Sequence, residues 1–198
     1  MPTLYVRGRR LNLAAVEPGD ANTLARWLND PESQQYTLGG AFPMNTPKEQ
    51  GLIDRMMQSP TDWFVGLVLA EPLPARTPGE PELAAGTLIG ATGLHQIDWI
   101  HRLATFGILV GERTAQGRGL GTEATALVLD HAFDVLNLER VELSVFDHNA
   151  RGLAVYRKLG FVEEGRRVER CWKAGAWRDE ILMVMRRRDW VRRRGEKA

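Results

Sequence analysis

One cysteine, Cys171, stands in 198 residues. A single thiol excludes an intramolecular disulfide framework and any cysteine-built metal centre, so no metal is expected. No apolar run nears the roughly 18 residues of a membrane span. Met1–Arg7 carries no apolar stretch of the signal-peptide kind, so the expected compartment is the cytoplasm and no membrane partner is expected. Excess charge is missing too: 26 Lys and Arg stand against 25 Asp and Glu, a formal net charge of +1. A dedicated nucleic-acid binder needs a surplus of cations to neutralise phosphates, and near-neutrality argues against one. What remains is ordinary globular composition, 43% apolar and 26% charged, at a length suited to one domain with a real core.

Charge and proline are unevenly placed. Residues 186–198 hold seven Lys and Arg against two acids, leaving 19 basic and 23 acidic residues in a mildly acidic body. The expected organisation is one domain over 1–187 followed by a basic tail, 188–198. That tail reads as a solvated end, or as a contact for RNA or another acidic surface. Four of the ten prolines fall between Glu71 and Pro81. Proline lacks the N–H a central strand needs, so 71–86 reads as a loop inserted between two strands.

The apolar pattern predicts an extended segment over Leu4–Val16 and a helix opened by Pro18-Gly19-Asp20 and closed near Asn29-Asp30-Pro31. A second helix starts at Thr46-Pro47, with Thr46 as cap and Pro47 at the first helical position. Trp63–Ala70, Thr87–Leu94 and Leu103–Val110 read as strands. Leu120–Leu136 reads as a helix whose buried stripe includes Leu120, Ala124, Leu127, Val128, His131, Ala132 and Val135. Glu139–Phe146 reads as a strand and Asn149–Leu159 as a helix. Phe161–Trp172 and Trp177–Arg187 read as a hairpin turning at Lys173-Ala174-Gly175. The class is α/β, a mixed sheet covered by helices.

The stretch Gln116-Gly117-Arg118-Gly119-Leu120-Gly121-Thr122 lies between a strand and the mouth of the best helix. Alternate glycines allow close backbone approach to a ligand. The first N–H groups of a helix lack internal partners and favour an anion. Together they form a phosphate cradle or a plain tight turn. No Gly-Lys-Ser/Thr follows, so the loop is not a nucleoside-triphosphate loop, and the dinucleotide fingerprint is also absent.

Gln116-x-x-Gly119-x-Gly121 resembles the pyrophosphate motif of the GCN5-related N-acetyltransferase (GNAT) superfamily. Asn149-Ala150-Arg151-Gly152, running on through Tyr156, Lys158, Gly160 and Phe161, resembles its second signature. Ile97–Trp99, Gly107-Ile108, Trp27–Pro31 and Trp177–Asp179 are similar to the ribosomal-protein-alanine N-acetyltransferase branch, with spermidine acetyltransferases nearby. The resemblance implies a mostly antiparallel sheet of about seven strands with a V-shaped splay between the fourth and fifth. It implies acetyl-CoA as donor substrate and a primary amine as acceptor. The expected acceptor is a protein N-terminal α-amine. A polyamine, aminoglycoside or other small amine is the near alternative, and an acyl-CoA-binding module with weak catalysis the distant one. Monomer and homodimer both remain open.

The resemblance also implies roles. Tyr156 would protonate the departing thiolate, and the backbone N–H of Leu109, with Val110 adjoining, would face the thioester. Gln116, Gly117, Arg118, Gly119, Leu120, Gly121 and Thr122 would hold the pyrophosphate. Asn149 either caps its helix or reaches the pantetheine arm. Lys158 and Arg151 lie near cofactor phosphates or are exposed helix cations. Tyr36 and Phe42 in the segment Tyr36–Met44, Trp99, Thr105 and Trp172 are the acceptor-side candidates. Thr105 stands where histone-type relatives carry glutamate, and threonine is no base near neutral pH. Glu112, Asp98 and His101 are weak substitutes, so no base is assigned. Cys171 reads as strand packing.

Overall fold

In the computed structural model, residues 2–37 and 42–196 are described. The alternation at Leu11 and Leu13 becomes β2 (Leu11–Ala14), both leucines fully buried. It does not extend back to Leu4. The chain turns at Gly8–Arg10, and β1 (Leu4–Arg7) pairs antiparallel with β2. The cause is distant in sequence: Glu123 Oε1 accepts the N–H groups of Arg9 at 2.9 Å and Arg10 at 2.8 Å, holding the turn. The expected single extended segment is therefore a hairpin.

A 3₁₀ turn at Pro18–Asp20 leads into α1 (Ala21–Leu28), and the short α2 (Pro31–Gln34) follows under an Asp30 cap. The next helix, α3 (Thr46–Gln58), is capped one residue earlier than expected. Asn45, not Thr46, accepts the Lys48 N–H at 3.0 Å, because its amide oxygen reaches that donor while Thr46 is already inside the helix. Three strands follow: β3 (Trp63–Leu69), β4 (Leu88–Asp98) and β5 (Leu103–Val110). The 71–86 segment joins β3 to β4, pinned by the Leu73–Leu83 bridge.

The strongest sequence helix is shorter than its apolar stripe. α4 (Leu120–Asp130) gives way to a π-helical turn, His131–Val135. The wider turn rotates the stripe, and Val135, expected inside, is 65% exposed. Then come β6 (Arg140–Phe146), α5 (Ala150–Leu159), β7 (Val162–Lys173) and β8 (Ala176–Arg186). Ala174 and Gly175, both at positive φ, make the expected tight turn.

Residues 188–198 were expected as a basic tail, either solvated or a contact for an acidic surface. Instead α6 (Arg187–Gly195) docks on the body, and Lys197 and Ala198 lie outside the described residues. Trp190 is buried and its Nε1 donates to Asp130 at 2.9 Å. One indole buried among charges decides the segment's fate, which charge counting alone misses.

The strands form one sheet in the order β1-β2-β3-β4-β5-β6-β8-β7. Every neighbouring pair is antiparallel except β5–β6. That parallel pair holds only over Leu103–Thr105 against Arg140–Glu142, after which the strands diverge. The splay falls between the fifth and sixth strands because the opening hairpin adds one to the count. The larger apolar core includes Ala124 and Val128 of α4 and Leu153 of α5; a smaller one gathers Leu24, Trp27, Ile53 and Ala91 beneath α1 and α3. Among the described residues, no helix is long and apolar enough to cross a membrane.

Candidate active site

The divergence of β5 from β6 opens a cavity of about 410 Å³. Its walls are Ile108–Val110 at the end of β5, the glycine loop, the first turns of α4 and α5, and Glu32 and Ser33 of α2 with Tyr36 just beyond it. The loop's conformation explains its glycines. Gly117 and Gly119 sit at φ +70° and +79°, a left-handed region costly for other residues, and Gly119 caps α4. The N–H groups of Thr122 and Glu123 turn back to Gly119 O at 3.1 Å. Those of Leu120 and Gly121 open the helix and have no intrahelical acceptor, which makes this end receptive to an anion.

Gln116 locks the loop to the strand: its Nε2 donates to Val110 O at 2.9 Å, and its Oε1 accepts from Arg151 at 2.9 Å. Arg151 also donates to Glu32 at 2.7 Å and lies over the Tyr36 ring, 5.9 Å from its centroid. These contacts span the cavity from α2 to α5. Asn149 caps α5, its Oδ1 accepting the Gly152 N–H at 2.9 Å, and also lines the cavity.

Tyr156 reaches the cavity from α5 with its ring edge-on to Phe106 and Phe161. Burial pushes its hydroxyl up to about 12, because a phenolate loses its hydration there. The group stays protonated near neutral pH and can donate.

A second cavity, about 290 Å³, lies on the α1/α3 side of the sheet and shares Ile108 and Leu109 with the first. Leu24, Leu28, Leu52, Met56 and Phe64 make it apolar. Two ionisable side chains line it, Glu49 and His95. Glu49 is only 2% exposed, and among the described residues its Oε2 has no hydrogen-bond partner. Burial holds its carboxyl above the usual range.

Of the residues expected at the cofactor, Leu109, Val110, Gln116, Gly117, Gly119, Gly121, Thr122, Asn149 and Tyr156 line the first cavity. Arg118, Leu120 and Lys158 do not. Arg118 Nε donates to Thr114 O at 2.8 Å and its guanidinium lies 3.8 Å from Glu80 of the proline-rich segment. The Thr114 carbonyl, with this acid nearby, holds the cation expected to meet phosphate away from the first cavity. Leu120 is core, and Lys158 is on the exposed side of α5. On the acceptor side, Tyr36 joins the first cavity, not the second. Trp99 is half exposed and donates to Pro60 O at 3.0 Å, Trp172 packs edge-on against Trp177 outside both cavities, and Phe42 is exposed. Residues 38–41 lie outside the described residues. Thr105 lines neither cavity but pairs in register with His95. Cys171 lies on β7 opposite Arg178.

Sequence reasoning missed Glu49, which looks like an ordinary first-turn helix acid, and His95, which looks like a strand residue. Among the described residues, no cluster of His, Cys, Asp and Glu suits a metal ion.

The family model for the acetyltransferase (GNAT) domain matches residues 10–162. Spermidine N(1)-acetyltransferase of Escherichia coli (strain K12) is 37% identical over 100 residues, 50% of this chain and 53% of that protein. The [ribosomal protein uS5]-alanine N-acetyltransferase of the same strain is 28% identical over 85 residues, 43% of each chain. The chain thus spans about half the length of these curated relatives. In fold it is similar to the crystal structure of spermidine N-acetyltransferase from Vibrio cholerae in complex with CoA and spermine. That TM-score is 0.78 at 24% identity, over 92% of this chain and 98% of that one.

Proposed function

The chain belongs to the GNAT acetyltransferase family, and on that premise we propose that it transfers acetyl from acetyl-CoA to a small primary amine. The observation that carries this reading is the meeting of two cavities at Leu109, one edged by an anion-receptive helix end and the other apolar with a buried carboxylate. Acetyl-CoA supplies an activated acetyl thioester when bound. The N–H groups at Leu120 and Gly121 receive the pyrophosphate, and Gly117 and Gly119 add no side chain of their own, with the guanidinium groups of Arg76 and Arg10 beside them. The backbone of Val110, whose carbonyl points away from β4 to Gln116, lies on the part of β5 beyond its pairing with β6 and faces the thioester. The Leu109 N–H expected there turns toward β4 instead, on the same side as that of Gly111. Tyr156 holds the proton that the departing sulfur needs.

A protein N-terminus fits less well than a small amine. The second cavity is about the size of a small molecule, and the spermidine-enzyme relative matches at higher identity than the ribosomal-protein one. The test measures CoA release with acetyl-CoA and a panel of 2-phenylethylamine, n-hexylamine, spermidine, a dipeptide and whole ribosomal proteins. Turnover is expected with the small amines. Transfer confined to peptides or ribosomal proteins would restore the N-terminal reading, and acetyl-CoA binding without transfer to any acceptor would leave only a binding module.

A further inference from the structure

We propose that His95, held by Asp62, is the base that takes a proton from the attacking amine, and that Glu49 anchors the amine in the same cavity. The proposal rests on the acetyltransferase reading and deepens it to the acceptor end. Three segments far apart in the chain meet here: the first turn of α3, the loop before β3, and β4.

The geometry sets the tautomer. Asp62 Oδ1 lies 3.0 Å from His95 Nδ1, and Asp62 Oδ2 accepts from Ser59 Oγ at 2.6 Å. Burial alone would raise the Asp62 carboxyl, but the hydrogen bonds from Ser59 and His95 outweigh it and hold the group below the usual range. An ionised carboxylate accepts only, so Nδ1 carries the hydrogen, and the neutral ring presents its lone pair at Nε2. A carboxylate orienting imidazole in this way is a recurring arrangement for general bases.

The space beside Nε2 is built by glycine. Gly93 and Gly107 are register partners across β4 and β5. A Cβ at either would come within 3.3 Å or 3.5 Å of Nε2. Bare backbone at both positions therefore leaves room beside the ring, two residues along β5 from Leu109. Glu49 supplies the attraction. A buried carboxylate oxygen without a partner costs stability, so a residue kept this way in an apolar cavity calls for a cation. A primary ammonium with an apolar body meets both needs. Among the described residues, a polyamine would leave its further amines against leucine and phenylalanine, since Asp30 and Glu32 are already held by Arg113 and Arg151. The preferred acceptor is thus an apolar monoamine.

The proton balance closes. The ammonium gives one proton to His95 Nε2, and the neutral nitrogen then forms its bond to the acetyl carbon as the carbon–sulfur bond breaks. Tyr156 protonates the sulfur and is restored by the second proton lost from nitrogen. His95 passes its proton to solvent, the one net proton released.

The test uses the full chain with acetyl-CoA and 2-phenylethylamine, with spermidine alongside. His95→Gln should lower kcat on the order of 10²-fold or more, while KM for the amine and acetyl-CoA affinity by calorimetry stay near wild type. In His95→Ala, added imidazole should restore turnover saturably. Asp62→Asn should lower kcat less than His95→Gln. Glu49→Gln should raise the amine KM far more than it lowers kcat, and should raise the melting temperature near neutral pH. A merely structural carboxylate would not raise it. A His95→Gln enzyme with near-normal kcat, or a His95→Ala loss that imidazole does not relieve, overturns the base assignment while acetyl transfer by the wild type stands. An unchanged amine KM in Glu49→Gln overturns the anchor. No transfer by the wild type to any amine overturns this inference and the enzymatic reading together.

Discussion

Two residues of the first cavity can be separated by what their replacement leaves intact. Tyr156→Phe keeps the ring against Phe106 and Phe161 and removes only the hydroxyl proton. With that proton retained up to about 12, the expected effect is a kcat loss on the order of 10²-fold with little change in acetyl-CoA affinity. A near-normal kcat, under conditions where chemistry limits turnover, would remove Tyr156 from the acid role. Gly119→Val acts on the other quantity. A β-branched residue at φ +79° is strained, and it stands where the cofactor's anion would approach the start of α4. Acetyl-CoA affinity should fall severely in a protein that remains folded, and unchanged binding by calorimetry would displace the pyrophosphate from this loop. Arg118 illustrates why a cation beside such a loop is not automatically a ligand. Glu80 reaches it across the proline-rich segment, so Arg118→Gln should alter that segment's anchoring more than phosphate binding.

At the scale of elements, α6 and the π-turn carry the clearest consequences. α6 holds the sheet through Trp190, whose ring is buried, and through Arg194, which pairs with Asp130 and Asp134. Trp190→Ala should lose on the order of 3 kcal/mol, as other large-to-small changes at buried aromatics do. A denaturation midpoint equal to that of the wild type would show the helix to be a solvated appendage after all. His131, at the start of the π-turn, is stacked on Trp63 at 4.2 Å between ring centroids and edge-on to Tyr5. Burial lowers its pKa from the ordinary 6.5, so the ring is neutral in the folded protein. The unfolded chain therefore takes up the proton first as pH falls. The contribution is fully present above about 6.5 and is lost as pH falls from there toward the lowered folded value. The melting temperature should drop between about pH 7 and pH 5, and His131→Phe, which keeps a ring on Trp63, should flatten that slope. Equal slopes would assign acid sensitivity to other groups.

For the molecule as a whole, the splay between β5 and β6 is where sheet cohesion is given up for a site, and a ligand that bridges its walls should restore some of it. Saturating acetyl-CoA should raise the melting temperature of the wild type, because it binds the folded state alone, and should do so much less in Gly119→Val. Equal shifts in the two proteins would mean that binding occurs elsewhere. Much of that cavity was legible in the amino-acid sequence. The glycine loop, the Asn149 cap, the α5 helix with Tyr156 and the closing hairpin all depend on positive φ, capping or periodicity, which neighbours within a few residues impose. The tertiary structure alone decided the rest. Glu49, Asp62 and His95 share no sequence spacing: the β3–β4 register, with Trp63 opposite Leu94, sets Asp62 beside His95, and packing of α3 on the sheet makes the Glu49 carboxyl dry. The same reason explains the first hairpin bent to Glu123, the placing of Glu80 beside Arg118 and the docking of α6. Short-range sterics are written locally in the chain, whereas desolvation and charge pairing depend on which distant groups burial brings together.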